Sequence, residues 1–560
     1  MSDSKKVNLH SIQHYFALAL TLGLFVFLLG WSAKVQIVES DELSAKAEQR
    51  FYRTKEIPAY RGEIRDRFGN PLAVSSPVFR VVINPKLFVN GCQAYQGVAQ
   101  VLGLNAKDFK KEVQSRAKTQ YYSVMREVMP EQKKDLQTLA CGRAIQYERE
   151  YKRYFLTGEI NGHLIGFTDT DDHGIEGLER TLESVLSGSV GKKAVLKDGR
   201  GRIIENLGEI EQPTPGQHVE LTIDNRLQFL TYRALKRAYL NTNAKSASAI
   251  LIDSETGEVL AMASQPPFNP NNREELKPKQ YRNRVLADQF EPGSTLKPLT
   301  LAKALDMGVI TPETEIDTER GRIRLNGFKI SDYKNYGDLT AEGIIKKSSN
   351  VGTAKVALMM GRDPLWDYFA QLGFASSAGL PNETYNKLKD VTVWDDATLA
   401  ANSYGYGLAI NLATLAKAYT MLANDGEMKP IGVIKEGPWK HEPSTQLVSP
   451  ESASSIRQMM VSVTEKGGTG TRAAVKDYYV AGKTGTVHVA SGGGYDEDRY
   501  RSMFAGIAPA TDPKLVMIVM VEEPQRGGYY GGEVAAPVFH EVMKEALRIM
   551  DATPDNLSHD

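Results

Sequence analysis

Nineteen consecutive residues without a charge, Tyr15 to Ala33, constrain this chain more than any other feature. They are mostly Leu, Phe, Ala and Val, and their number is about the minimum for a helix that crosses a bilayer. Tyr15 and Trp31 sit near the two ends, where interfacial aromatic anchors lie. Lys5 and Lys6 precede the run; Lys34 follows it, then Glu39, Asp41 and Glu42. This slight lysine bias places the N-terminus inside. No small-x-small site closes the run, so an uncleaved anchor is expected in place of a signal peptide. The expectation is a cytoplasmic tail over 1–14, a transmembrane helix over 15–37, and all later residues on the far side of that membrane.

The chain has 560 residues, and the part beyond the anchor is long enough for two to four domains. The 68 basic and 68 acidic side chains leave no net field that would favour nucleic acid. The nine histidines are scattered, and the HxxxH pair His10 and His14 has no glutamate between them. Neither Cys92 nor Cys141 sits in a CxxC pair or beside a histidine at ligand spacing, so no metal site is expected. In an extracytoplasmic region the two cysteines could pair, but sequence does not set their distance.

Residues 40–60 read as a polar, helical exit from the membrane. Asp66 to Pro71 reads as a turn between short strands, and Val78 to Ile83 as a strand. Lys107 to Arg153, rich in charge of both signs, reads as amphipathic helix with a solvated face. A helix is expected around Glu179 to Leu186, and strands over 190–223 with turns at Asp198-Gly199 and Pro213 to Gly216. A boundary falls near residue 220, which leaves a mixed α+β half without a catalytic constellation over 38–220. Beyond it the pattern gives a helix to about Tyr239, then a hairpin of Ala247–Asp253 and Glu258–Ala263 around the turn Ser254 to Gly257. Helices come next, then strand-like runs from Tyr478 to Val489 and Arg501 to Val521, and a last helix from Val534 to Met550. An early hairpin and late strands around a helical middle imply one α/β unit over 221–550, its sheet closed by distant parts of the chain. The polar tail 551–560 is expected to be disordered.

Three short motifs carry chemistry. Ser294-Thr-Leu-Lys297 follows the turn Glu291-Pro-Gly293 and opens a helical run; a serine at a helix start lies near free backbone N–H groups, and a lysine three residues on shares its face. The spacing alone is uninformative, since S-x-x-K also begins at Ser2, Ser115, Ser189 and Ser331. Ser348-Ser-Asn350 lies between two helical patterns, Thr340–Lys347 and Val351–Met360, and alone reads as helix capping. Lys483-Thr-Gly-Thr486 sits within a strand, where glycine marks a bulge or close approach. Together they fall in a fixed order, 54 residues from Ser294 to Ser348 and 135 more to Lys483, the order of the S-x-x-K, S-x-N and K-T-G set.

With these motifs, the chain resembles a class B penicillin-binding protein. Phe290 to Pro298, the Asp253–Met262 hairpin, Tyr404-Gly-Tyr-Gly-Leu408 and the juxtamembrane Arg61-Gly-Glu-Ile-Arg-Asp-Arg-Phe-Gly69 agree. His163-Leu-Ile-Gly-Phe-Thr-Asp169 and Gly174-Ile-Glu-Gly-Leu-Glu179 resemble the septal, FtsI-type enzyme. The resemblance implies an α/β (α+β) penicillin-binding/β-lactamase-like transpeptidase domain that cross-links peptidoglycan stem peptides without a cofactor. Ser294 would be the nucleophile. Lys297 would be its base, made neutral by burial and by a nearby cation such as Lys483. Ser348 would relay a proton, and Asn350 would position Lys297 and the substrate. Thr484 and Thr486, beside Gly485, would hold the terminal carboxylate. Backbone N–H groups of Ser294 and Thr486 would form an oxyanion hole, one such donor being worth about 3 kcal/mol. Acylation would rise with pH as the base deprotonates. β-Lactams would mimic the substrate, and a membrane-embedded glycan polymerase of the division machinery would be a partner. Competing readings are an elongation-type enzyme, a D,D-carboxypeptidase or β-lactamase, and a non-catalytic β-lactam sensor or scaffold.

Overall fold

The computed structural model describes residues 9–43, 52–197, 203–273, 277–491 and 494–557. An N-terminal helix, Leu9–Ala33, continues through a wider turn, Lys34–Val38. The apolar stretch Ile12–Val38 is long enough to cross a membrane, and none of its most apolar window is buried against protein. Leu18, Leu22, Phe25 and Leu29 all stand exposed, as side chains facing lipid would. One such helix is compatible with a single-pass anchor.

The chain forms two compact units, both discontinuous in sequence. One comprises residues 1–60, 78–150 and 189–215; the other comprises 61–77, 151–188 and 216–560.

In the first unit, strands Tyr52–Ile57, Gly191–Lys197 and Ile203–Glu211 form an antiparallel sheet. Tyr52–Ile57 replaces the helix expected toward residue 60; residues 44–51 and the turn at Asp198-Gly199 lie outside the described residues. Residues 79–83 pair with the strand Tyr122–Val128. The continuous helix expected from Lys107 to Arg153 is therefore corrected. Helices Ala106–Ser115 and Pro130–Thr138 alternate there with strands Tyr122–Val128 and Ile145–Phe155. The mixed charges serve cross-strand pairing: Glu150 takes both Arg80 (2.5 Å) and Arg126 (3.1 Å). Phe88, Tyr95 and Phe109 pack edge to face in the core of this unit. Cys92 and Cys141 are joined as a disulfide with their Cα atoms 4.8 Å apart.

In the second unit we number the strands that position the site β1 (Ser246–Asp253), β2 (Val259–Gln265), β3 (Ala481–Ser491), β4 (Gly494–Ala508) and β5 (Leu515–Glu522). They form one antiparallel sheet in the order β2-β1-β5-β4-β3. The early hairpin and the late strands thus meet along β1 and β5. The strand-like run from Arg501 to Val521 resolves into β4 and β5. Both faces are covered, so β1 and β5 are buried almost throughout. Ala249 and Leu251 face α1 (Asn225–Thr242) and the last helix, Ala536–Ile549. Ile250 and Ile252, one residue out of phase, face the helical layer that carries Leu415, Tyr419 and Leu422. β3 is a sheet edge.

The segments Arg61–Pro77 and Tyr151–Gly188 belong to this unit and bury an ionic cluster. Glu179, with no exposed surface, accepts from Arg61 (2.8 Å) and Arg153 (2.7 Å). Glycine permits the close packing of this region: a Cβ on Gly166, at φ +78°, would lie 2.0 Å from the Glu176 carbonyl oxygen. His163 is buried, holds the Gln280 carbonyl at 2.9 Å, and is pushed by burial down to about 4, so it is neutral. The tail is not free as expected. Asp555 accepts from the backbone N–H groups of Tyr479 (2.7 Å) and Thr511 (3.0 Å), and the Tyr478 hydroxyl donates to the Ala552 carbonyl (2.8 Å). Residues 558–560 lie outside the described residues.

Candidate active site

Ser294 lies in a single 3-10 turn, Gly293–Leu296, that leads into α2 (Lys297–Asp306). Pro298 falls in the first turn of α2, where its missing N–H costs nothing. The turn is held from several sides. Gly293 N–H donates to the Gly405 carbonyl (3.0 Å), and Phe290 exchanges backbone hydrogen bonds with Ile410 (2.9 and 3.0 Å). The buried Tyr419 hydroxyl donates to the Thr295 carbonyl (2.6 Å). Gly405 has φ +87°, and a Cβ there would lie 2.3 Å from the Gly293 carbonyl oxygen. The Tyr404-Gly-Tyr-Gly-Leu408 segment thus backs the Ser294 turn.

Helix α3 (Ala341–Lys347) ends on Ser348, whose φ of +58° and ψ of +44° are left-handed. This placement is uncommon for a residue with a Cβ and stores strain of order 1–3 kcal/mol. Ser349 then caps α4 (Asn350–Met360) by accepting from Gly352 N–H (2.9 Å). The left-handed residue between two helices presents Ser348 and Asn350 to α2.

The three motifs converge. Lys297 Nζ lies 2.6 Å from the Ser348 carbonyl, 2.7 Å from Asn350 Oδ1 and 3.2 Å from Ser348 Oγ. Lys483 Nζ reaches the same Ser348 Oγ at 2.9 Å and the Thr484 carbonyl at 3.1 Å. Both lysines have no exposed surface. Burial holds Lys297 well below the ordinary lysine range, the Lys483 cation lowers it further, and the Asp332 carboxylate opposes both. Burial brings Lys483 down to about 7. A neutral Lys297 has two N–H groups and one lone pair. The two short contacts to carbonyl oxygens use both N–H groups, so the lone pair is left to accept a proton. Ser294 Oγ, half-buried one helical turn before Lys297, makes no hydrogen bond among the described residues.

Strand β3 runs beside this group. Lys483, Gly485 and Val487 alternate onto the side of the Ser294 turn. A Cβ on Gly485 would meet Thr295 Cγ2 at 3.0 Å, and the Val487 methyl occupies the space beside Gly293. Thr484 and Thr486 alternate to the other side. Thr486 Oγ1 accepts from Gly531 N–H (3.0 Å), which leaves its proton to donate. Thr484 Oγ1 is paired with Thr469 Oγ1 at 2.7 Å.

Sequence reasoning passed over Asp332 and Thr469. Asp332 Oδ1 accepts from Asn350 N–H (2.5 Å) and Val351 N–H (3.0 Å), and Oδ2 accepts from the Ser349 hydroxyl (2.5 Å). The Ser331 carbonyl accepts from Asn350 Nδ2 at 3.0 Å.

Known proteins match this architecture. The family described as "Penicillin binding protein transpeptidase domain" matches residues 247–544, and "Penicillin-binding Protein dimerisation domain" matches 56–221. The probable peptidoglycan D,D-transpeptidase PbpC of Pseudomonas aeruginosa is 36% identical, covering 97% of this chain and 96% of the relative. The peptidoglycan D,D-transpeptidase FtsI of Escherichia coli K12 is 37% identical over 95% of this chain and 91% of its own length. Among solved structures, penicillin-binding protein 3 of Mycobacterium tuberculosis in complex with aztreonam aligns with TM-score 0.68 at 26% identity, over 90% of this chain and 100% of that one. The transpeptidase domain of Burkholderia pseudomallei penicillin-binding protein 3 aligns with TM-score 0.55 at 39% identity, over 60% of this chain and 97% of that one. This chain belongs to the class B penicillin-binding proteins, of the FtsI type.

Proposed function

We propose that this protein is a membrane-anchored peptidoglycan D,D-transpeptidase that works through an acyl-enzyme on Ser294. The observation that carries the reading is the convergence of Lys297 and Lys483 on one hydroxyl, Ser348, beside Asn350 and one turn from Ser294. The neutral amine of Lys297 takes the proton of Ser294 Oγ as that oxygen adds to the carbonyl between the last two D-alanines of a stem peptide. The backbone N–H groups of Ser294 and Thr486 receive the developing oxyanion. On collapse the C–N bond breaks, and the proton returns through Ser348 to the departing amine of D-alanine. An amine of a neighbouring stem then attacks the ester, gives up its proton to Lys297 and leaves as the cross-linked amide, restoring Ser294.

Charged Lys483 keeps a third N–H beyond its bonds to Ser348 and Thr484. With Thr486 it suits the terminal carboxylate of the donor. Thr484 serves that anion by way of its pair with Thr469. A β-lactam presents a comparable anion and carbonyl and stays esterified on Ser294; that the related protein is seen in complex with aztreonam supports a β-lactam as an occupant of this site.

The FtsI name of the relatives supports a septal role, with a lipid-linked glycan polymerase of the division machinery as partner. The lysines before the helix support an N-terminus inside and a catalytic unit outside the cytoplasmic membrane. The decisive assay incubates the full-length protein with a D-alanyl-D-alanine donor and an amine acceptor. Mass analysis should find the cross-linked amide and released D-alanine, and neither with Ser294→Ala. Hydrolysed donor alone would favour a carboxypeptidase. Depletion in cells should give filaments; round cells would reassign the protein to elongation.

A further inference from the structure

Residue Asp332 stands at the end of the hairpin Arg322–Leu325/Phe328–Ser331 and belongs to none of the three motifs. Its own position is fixed. Its N–H donates to the Gly321 carbonyl (3.0 Å), and Gly321, at φ +80°, sits where a Cβ would approach the Lys334 carbonyl to 2.8 Å. Two residues earlier, Ile330 is buried with Val351, Ala354, Ala400 and Tyr404. The hairpin end is thereby packed onto α4. From this platform one carboxylate accepts three hydrogen bonds from three consecutive residues, Ser349, Asn350 and Val351. The adjacent Ser331 carbonyl takes the side-chain N–H of Asn350. That bond fixes the orientation of the carboxamide, so that Asn350 turns its oxygen, not its nitrogen, to Lys297.

We propose that Asp332 is a positioning residue of the acyl-transfer site: its carboxylate clamps the first turn of α4 and so fixes Ser348 and Asn350 against Lys297. The inference rests on the acyl-enzyme reading above. The clamp acts on the strained point of the site, because Ser348 is left-handed and directly precedes the clamped residues. Without Asp332 the backbone could relax there, and both short acceptors of Lys297 would move together. A misplacement of about 1 Å is enough to cost about 10²-fold in rate.

The carboxylate also balances charge. The charged groups that face Lys297 are Lys483, from the edge strand, and Asp332, from the hairpin end. Tyr336, the phenol that Asp332 perturbs, is raised by burial first and then by that carboxylate. Asp332→Asn keeps an oxygen for the two amides and removes the charge; Asp332→Ala removes both. The test is the rate of acylation of the full-length protein by a fluorescent penicillin, across pH, with thermal unfolding recorded for each variant. Asp332→Ala should lose about 10²-fold in acylation rate with its unfolding transition retained. Asp332→Asn should keep most of the rate, and its acid limb should move to lower pH, since Lys297 loses the group that favours its charge. The inference is overturned if Asp332→Ala acylates like the parent. It is also overturned if its loss only tracks the unfolded fraction, or if the acid limb of Asp332→Asn stays in place. If the parent protein itself is not labelled, the acyl-enzyme reading fails instead.

Discussion

Lys297 and Lys483 share one hydroxyl in a place where neither amine reaches solvent, and burial disfavours charge on both. They separate because Lys297 feels the Lys483 cation, whereas burial alone lowers Lys483. This difference sets the acid-base assignment: Lys297 is the amine pushed toward the neutral form by both burial and its neighbour, and Lys483, at about 7, is the group that carries charge near neutrality. Acylation of the free protein by an anionic β-lactam should therefore show two limbs. The rate rises as Lys297 deprotonates and falls as pH passes through about 7 and Lys483 loses its charge. The sequence predicts only the rising limb. Lys483→Met should move the acid limb to higher pH, because Lys297 loses a repelling neighbour. A pH-rate profile of this variant checks the sign, and an unmoved limb would mean that the two amines are not coupled. The chemistry-bearing residues were legible because each motif binds a fixed residue type to a fixed local shape. Asp332 and Thr469 were not legible, since a lone carboxylate or hydroxyl in a polar loop has no pattern, and its partners lie 17 and 15 residues away.

At the scale of elements, the segments that carried the family resemblance without a chemical role of their own prove to be scaffolding. Tyr404 to Leu408 lies against the Ser294 turn so closely that Gly405→Ala would meet the Gly293 carbonyl and need a left-handed alanine. The strain alone is about 1–3 kcal/mol, and acylation should fall further than stability, measured by labelling rate against thermal unfolding. Arg61 and Glu179, from two more of these segments, pair inside one buried ionic cluster that also holds Arg153. Within the same cluster Asp172 is pushed up to about 6 by burial, against the opposing pull of Arg153 and Arg61. Its folded-state value lies above its unfolded one, so the fold prefers the neutral acid. The cost of ionisation is absent below about pH 4 and grows as pH rises through about 6. Asp172→Asn should accordingly raise the unfolding temperature at pH 8 and leave it unchanged at pH 4. The hairpin β1–β2 and the late strands were legible from their apolar runs and turns. The Lys107–Arg153 stretch was not, because its alternating charges pair across strands instead of along a helix.

On the scale of the whole molecule, one long apolar helix and two compact units make up the described residues. The apolar helix was legible from nineteen uncharged residues, but the discontinuous units were not, since contiguous reading cannot show a chain that leaves a unit and returns. The disulfide closes a separation of 49 residues in the first unit and should stabilise that unit by about 4 kcal/mol. The double variant Cys92→Ala/Cys141→Ala should lower the unfolding temperature of that unit in calorimetry and leave the rate of penicillin labelling unchanged. The central claim is that Ser294 carries the acyl group. Mass spectrometry of the full-length protein after exposure to penicillin tests it most directly. The adduct should map to Ser294 and be absent from Ser294→Ala; an adduct on another residue, or a variant labelled as well as the parent, would contradict the account.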